Sequence, residues 1–257
     1  MQKKHYEWNY QWETLADNSE FLFKEWIAPY TLEDFCGKTV VDCGCGSGQH
    51  IDFIAPYALK VVGIDLNTTE IGRKRNRKHR NVEFIEGDIA TVDLGEKFDI
   101  VYSIGVIHHT DDVEASFNNI KQMAKPGGTV ITWTYSHEGN FLNRAFLEPL
   151  KKRFILEIKR KNMLVLARIL TVLMYIPIYT VYLLPLKFLP FYEYFNNFRK
   201  LSLGRNLLNV FDKLNAPQTF FIKKERLWRW FNSGEFDNID IHPYSGVSWH
   251  ASGRKKE

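Results

Sequence analysis

Cysteine is scarce: 257 residues carry three, Cys36, Cys43 and Cys45, an odd set crowded into one short stretch. Such a set makes no disulfide framework, so a reducing, cytoplasmic compartment is expected. A zinc site drawn from these cysteines and His50 would lack the usual two-residue gap between thiolates, and no metal is expected. Charge of one sign is also sparse. The 34 Lys and Arg stand against 30 Asp and Glu, a net charge of +4, far from the dense basic stripe of a nucleic-acid binder. The opening M-Q-K-K-H-Y-E-W has no apolar run of the kind a secretion signal needs, and none is expected. No G-x-x-x-x-G-K-[ST] occurs, which excludes a P-loop. Core formers are plentiful by contrast. With 45% apolar and 15% aromatic residues, a disordered chain is excluded and some rings are available to line a ligand pocket.

Glycine concentrates where residues 38–49 read K-T-V-V-D-C-G-C-G-S-G-Q. The β-branched run reads as a buried strand, and Gly44, Gly46 and Gly48 as a turn where the backbone must approach something closely. A strand leading through such a turn into a helix is a nucleotide-binding element. From there helix and strand patterns alternate. A helix is expected over 49–57, a strand over 60–65, a helix over 67–78 capped by Asn67 or Thr68, and a strand over 82–85. A strand over 98–104, a helix over 113–124, a K-P-G-G turn at 125–128 and a strand over 129–135 follow. A terminal helix over 223–233 and a hairpin of strands at 236–244 and 247–252 complete seven strands. The pattern predicts an α/β, Rossmann-like, mostly parallel seven-stranded sheet with a C-terminal antiparallel hairpin and a helical insert or cap.

The expected domains are an N-terminal aromatic arm and helix (1–36), a core (37–136), an apolar helical insert (137–217) and a C-terminal helix and hairpin (218–257). In the arm, residues 5–12 read H-Y-E-W-N-Y-Q-W, ahead of any regular element. They form either a packed arm over an apolar face or an aromatic flap over a flat ligand. A helix bearing Phe21, Leu22, Trp26 and Ile27 follows, capped by Asn18 or Ser19, with Pro29 near its end.

V-V-D-C-G-C-G-S-G, Asp65 closing the second strand, E-G-D at 86–88, F-D-I-V-Y-S with I-H-H-T-D, and K-P-G-G occur in a telling order and spacing. Together they resemble the class I S-adenosylmethionine-dependent methyltransferases, of a methyltransferase-11-like bacterial small-molecule and glycan type, over about residues 39–135. The resemblance implies S-adenosyl-L-methionine as cofactor. It places Gly44, Cys45, Gly46 and Gly48 along the cofactor's amino-acid portion, with Asp42 orienting the ammonium. Asp65, beside Leu66, takes the ribose hydroxyls; Gly87, Asp88 and Ile89 meet the adenine; Ser103, Ile104 and Gly105 pass beneath the methionine moiety. A nicotinamide dehydrogenase fits less well, because G-x-G-x-x-G counted from Gly44 needs a small residue where Gln49 stands. Ser103-Ile104-Gly105-Val106 replaces the N-P-P-Y-like tetrapeptide of nucleic-acid methyltransferases, and no nucleic acid is expected.

His108 and His109 fall just past the 98–104 strand, where the methyl group should lie. An imidazole there has a pKa suited to deprotonating a hydroxyl. Alternatively one histidine packs and the other caps the next helix with Thr110 and Asp111. Tyr6, Tyr10, Trp12, His109 and Tyr135 are expected to enclose the acceptor. In the insert, residues 169–186 run eighteen positions without charge, interrupted by Pro177 and Pro185. Both ends of the insert belong to one sheet, so a single membrane span would tear the domain apart, and two spans need about 40 apolar residues. A cap over the site, or a platform at a membrane surface through 163–190, remains. The expected function is methyl transfer to a small-molecule or glycan acceptor at oxygen, in the cytoplasm or at the inner face of the membrane. A non-catalytic scaffold on the same fold and a methyltransferase of a lipid-linked acceptor are the alternatives.

Overall fold

The computed structural model describes residues 6–15 and 19–257; His5 of the aromatic stretch and Asn18, the alternative cap, lie outside them. The chain begins with α1 (Tyr6–Thr14) and α2 (Glu20–Ile27), then β1 (Thr39–Cys43), α3 (Gln49–Ile54), β2 (Lys60–Asp65), α4 (Thr69–Asn76) and β3 (Val82–Glu86). β4 (Phe98–Ile104), α5 (Val113–Met123) and β5 (Ala124–Tyr135) complete the parallel part. The insert holds α6 (Glu148–Leu150) between two π-helical turns, α7 (Arg160–Ile178), α8 (Tyr192–Phe198) and α9 (Leu203–Asn215). The chain then returns through α10 (Lys224–Trp230), β6 (Phe236–Tyr244) and β7 (Ser248–Lys255).

The sheet order is β3-β2-β1-β4-β5-β7-β6. β1 to β5 pair in parallel, while β7 runs antiparallel to both β5 and β6. Successive residues of a strand point to opposite faces, so each doubled apolar position feeds two cores. Val40, Val61, Ile100 and Ile131 pack with Phe23, Ile27 and Ile51 from α2 and α3. Val41, Val62, Val101 and Val130 pack with Phe117 and Ile120 from α5, Leu227 from α10 and Phe231 just after it. The Asp112 carboxylate caps α5, accepting from the backbone N–H groups of Glu114 and Ala115 at 2.9 Å each. Order reverses between β1 and β4, which opens a crevice at their carboxyl ends.

The base of the sheet is pinned by Asp99. Its carboxylate accepts from the Thr39 N–H and hydroxyl at 2.8 and 2.7 Å and from Lys125 Nζ at 2.8 Å. Burial pushes its pKa up, but these donors outweigh it and hold the group at about 2, below the ordinary 3.8. A depressed carboxylate stabilises the fold above its unfolded pKa and loses that contribution as pH falls from 3.8 toward 2. Asp99→Asn is therefore expected to cost about 1–2 kcal/mol near neutrality and progressively less below about pH 4, read from paired urea unfolding curves. A difference that grows on acidification would contradict the assignment.

Three expectations are corrected. The 5–12 stretch is not irregular from Tyr6 onward but helical as α1. β5 starts at Ala124, because the K-P-G-G segment bulges within the strand: Phe98 faces Ala124, and the next partners are Ile100 and Thr129. Ser19 sits at the N-cap of α2 and Thr68 at that of α4, yet neither side chain makes a capping hydrogen bond.

Candidate functional site

The glycine turn is built from both sides. Gly44, Gly46 and Gly48 take φ of 89°, 52° and 69°, a region that favours glycine. The N–H groups of Gly44 and Cys45 both donate to the Ile64 carbonyl, at 2.8 and 2.9 Å. Gly46 N–H donates to Asp65 Oδ2 at 2.9 Å, and the Gly46 carbonyl accepts from Thr68 Oγ1 at 2.6 Å. Asp65 therefore stands at the carboxyl end of β2, tied to the turn it faces. Burial raises its pKa, opposed by the Thr68 hydroxyl and the N–H groups of Gly46, Asn67 and Leu66.

Beyond the turn lies a cavity of about 210 Å³. From the core it is lined by Gly44, Cys45, Gly46, Asp65 and Leu66, by Gly87, Asp88 and Ile89, and by Ile104, Gly105, His109 and Tyr135. These sequence-identified residues converge although they come from five strand ends. Others do not reach the cavity. Asp42 is buried beneath it, accepting from the Tyr102 hydroxyl at 2.9 Å, and burial lifts its pKa to about 8. Ser103 donates to the Cys43 carbonyl at 2.8 Å. Gly48 serves the fold: its carbonyl accepts from Asn76 Nδ2, and an added Cβ would lie 2.6 Å from that nitrogen.

The two histidines separate. His108 is fully buried, its ring 4.3 Å from that of Tyr135, and neither ring nitrogen has a hydrogen-bond partner among the described residues. His109 lines the cavity. Its Nδ1 lies 2.9 Å from the Gln218 carbonyl, which can only accept, so Nδ1 carries the proton and Nε2 holds the lone pair. Nε2 is buried without a hydrogen-bond partner among the described residues. Burial lowers the His109 pKa, against the opposing pull of Asp212 and the Gln218 carbonyl, and keeps the ring neutral.

The lid comes from α1 and the insert. Asn9 Nδ2 donates to the Asn67 carbonyl at 3.0 Å, and Gln11 Nε2 to Asp212 Oδ1 at 2.9 Å, so α1 bridges the turn after β2 to α9. Trp8 packs 5.1 Å from His109, and Trp12 lies over Gly46. Of the aromatics expected on the acceptor, Trp12 and Tyr135 line the cavity; Tyr6 is half exposed, and Tyr10 packs on Phe211 of α9. Sequence reasoning missed the cap's contribution: Arg205, Asn209, Asp212 and Lys213 of α9 also line the cavity. Lys213 lies over the rings of Tyr135 and Tyr194, and the Tyr135 hydroxyl donates to Asp212 Oδ2 at 3.2 Å. The first three recur at helical spacing inside an otherwise apolar insert, and that pattern was readable.

The arrangement fits S-adenosyl-L-methionine: an acid ends β2 beside the cavity, and Gly44 and Gly46 line it without side chains, Val106 and Trp12 leaving no room for a Cβ. Of the three cysteines, Cys36 is exposed and Cys43 contacts Met123. Among the described residues, three possible metal ligands converge only at Asp240, His242 and His250, none of which lines this cavity.

Strand order, glycine turn and cavity together are those of the class I S-adenosylmethionine-dependent methyltransferase fold. Residues 41–132 match the family described as Methyltransferase domain. Phosphoethanolamine N-methyltransferase 1 of Triticum aestivum is 32% identical over 135 residues, covering 51% of this chain and 27% of that protein. Ubiquinone biosynthesis O-methyltransferase of Chelativorans sp. (strain BNC1) is 30% identical over 123 residues, 46% of this chain and 49% of that protein. The chain thus spans half or less of these relatives' length. An O-methyltransferase family protein from Burkholderia thailandensis shares the fold at a TM-score of 0.55 and 12% identity, over 92% of this chain and 56% of that one.

Proposed function

We propose that the protein methylates a hydroxyl of a small-molecule or glycan acceptor, with His109 as the general base. The observation that carries this reading is the His109 ring itself: it lines the cavity, Gln218 holds its Nδ1, and Nε2 is left as the lone-pair nitrogen with no hydrogen-bond partner among the described residues. An amine acceptor supplies its own lone pair, whereas a hydroxyl must lose a proton as it attacks. When bound, S-adenosyl-L-methionine supplies an electrophilic methyl group on a sulfonium.

The chain's own residues account for the remaining steps. Asp65 and the glycine turn would hold the cofactor's ribose and amino-acid ends, and Gly87, Asp88 and Ile89 would border its base. Trp8, Trp12 and Tyr135 present rings to the acceptor, while Asp212, Asn209 and Lys213 offer polar groups from the cap. α1 and α9 exclude water, which favours transfer over hydrolysis. His109 Nε2 takes the hydroxyl proton.

Asp65→Ala is expected to weaken S-adenosylhomocysteine binding tenfold or more, about 1.4 kcal/mol, measured by titration calorimetry. Unchanged affinity would overturn the cofactor placement.

A further inference from the structure

α9 lines the cavity and packs against α7, which leaves most of its own apolar surface uncovered. α7 is long and apolar enough to cross a membrane, yet only 28% of its most apolar window is buried. Met163, Leu164, Ala167 and Thr171 face inward. Val165, Ile169, Val172, Leu173 and Ile176 are exposed, at intervals of four, three, one and three that form a single outer stripe. The stripe continues into the loop beyond Pro177, where Phe188 is 80% exposed. Isolated apolar residues on a surface need no explanation, but a continuous patch marks a contact.

Charge selects the partner. Between residues 158 and 192 there is no Asp or Glu, while Lys159, Arg160, Lys161, Arg168 and Lys187 are all basic. Arg168 is exposed within the apolar stripe itself, placed to rest its stem on apolar neighbours and extend its guanidinium outward. A second copy docked by two-fold symmetry would set this positive field against itself. An anionic bilayer surface complements both the stripe and its charge. Crossing is excluded by topology: Tyr135, before the insert, pairs with Ser248, after it, in one sheet.

We infer that the outer face of α7 and the loop after it dock in the plane of an anionic lipid bilayer, with α7 parallel to the surface. The cavity then lies one helix layer beneath the lipid headgroups, since α9 lines the cavity and α7 packs on α9. This placement does not depend on the acceptor or on the role of His109.

The test is flotation of the intact protein with vesicles of phosphatidylcholine alone and of phosphatidylcholine mixed equally with phosphatidylglycerol. Binding is expected to the anionic vesicles and to weaken with added salt. Ile169→Glu/Leu173→Glu, both at exposed positions, is expected to abolish flotation while S-adenosylhomocysteine binding and the far-ultraviolet dichroism stay as in the parent. Arg168→Gln and Lys187→Gln should each lower vesicle affinity by about fivefold. Failure of the intact protein to float with anionic vesicles overturns the inference, as does equal flotation of the double variant. Sedimentation that shows a dimer dissolved by the same double substitution also overturns it, in favour of a self-association face.

Discussion

His109→Gln is expected to lower kcat/KM by about 10²- to 10⁴-fold while leaving S-adenosylhomocysteine affinity near that of the parent. The loss follows from position. His109 borders the cavity with Nε2 free to accept, while His108 is enclosed by His109 and Tyr135 and does not line it. His108→Gln should thus alter packing more than turnover. The pH profile separates a base from a structural ring. Burial holds the His109 pKa below the ordinary 6.5, so the neutral, competent form persists on acidification past that value. The acid limb of kcat/KM is expected to begin below pH 6.5, with activity flat above it, and to vanish in the residual rate of His109→Gln. An acid limb at or above 6.5 in the parent enzyme, or one retained in the variant, would remove His109 from the base role.

The sheet was readable because its central parallel strands β1, β2 and β4 are buried on both faces and so appear as short, mostly apolar runs between turn residues. V-V at 40–41 and V-V at 61–62 each supply one residue to either core. The cofactor side was readable for a related reason: Gly44, Gly46 and Asp65 are dictated by backbone geometry at strand ends, which is local. The acceptor side was not. In α1 the aromatics at 6, 8, 10 and 12 alternate with a period of two, so no helical stripe announces the helix. Its partners Asn67, Asp212 and Asn215 are tens to hundreds of positions away. A short segment whose conformation is fixed by such tertiary contacts carries little of that information in its own pattern.

The histidine pair shows the same limit at finer scale. Both lie in one 3₁₀ turn, Ile107–His109, and their spacing in the chain cannot tell which ring meets the cavity. The deciding atom is the Gln218 carbonyl, delivered where the chain re-enters the core after the insert. Phe220 N–H donates to the His108 carbonyl and Ile222 N–H to that of Tyr135, both at 2.8 Å, and these fix the re-entry. Asp42 is hard to place for a different reason. An acid before a glycine turn looks like a ligand-facing group, but alternation along β1 puts its side chain on the face it shares with Val40, against Tyr102.

Gly46 is where the local and the distant parts of the site meet, and replacing it should damage both. Its φ of 52° is left-handed, and a Cβ would lie 2.8 Å from the Trp12 ring. Gly46→Ala is expected to cost about 1–2 kcal/mol from the backbone and about 1–3 kcal/mol more from overpacking against Trp12. S-adenosylhomocysteine affinity should fall by about a hundredfold or more, because α1 must move off a turn whose N–H holds Asp65 and whose carbonyl holds Thr68. Gly95 provides the control: its φ of 66° is also left-handed, but nothing lies within 4 Å of an added Cβ. Gly95→Ala therefore isolates the backbone cost. Combining Gly46→Ala with Trp12→Ala should recover the steric part alone, a favourable coupling of about 1–3 kcal/mol in a double-mutant cycle read by urea unfolding. If Gly46→Ala costs no more than Gly95→Ala, or if Trp12→Ala recovers nothing, α1 does not seat on the glycine turn as the closing wall of the cofactor site.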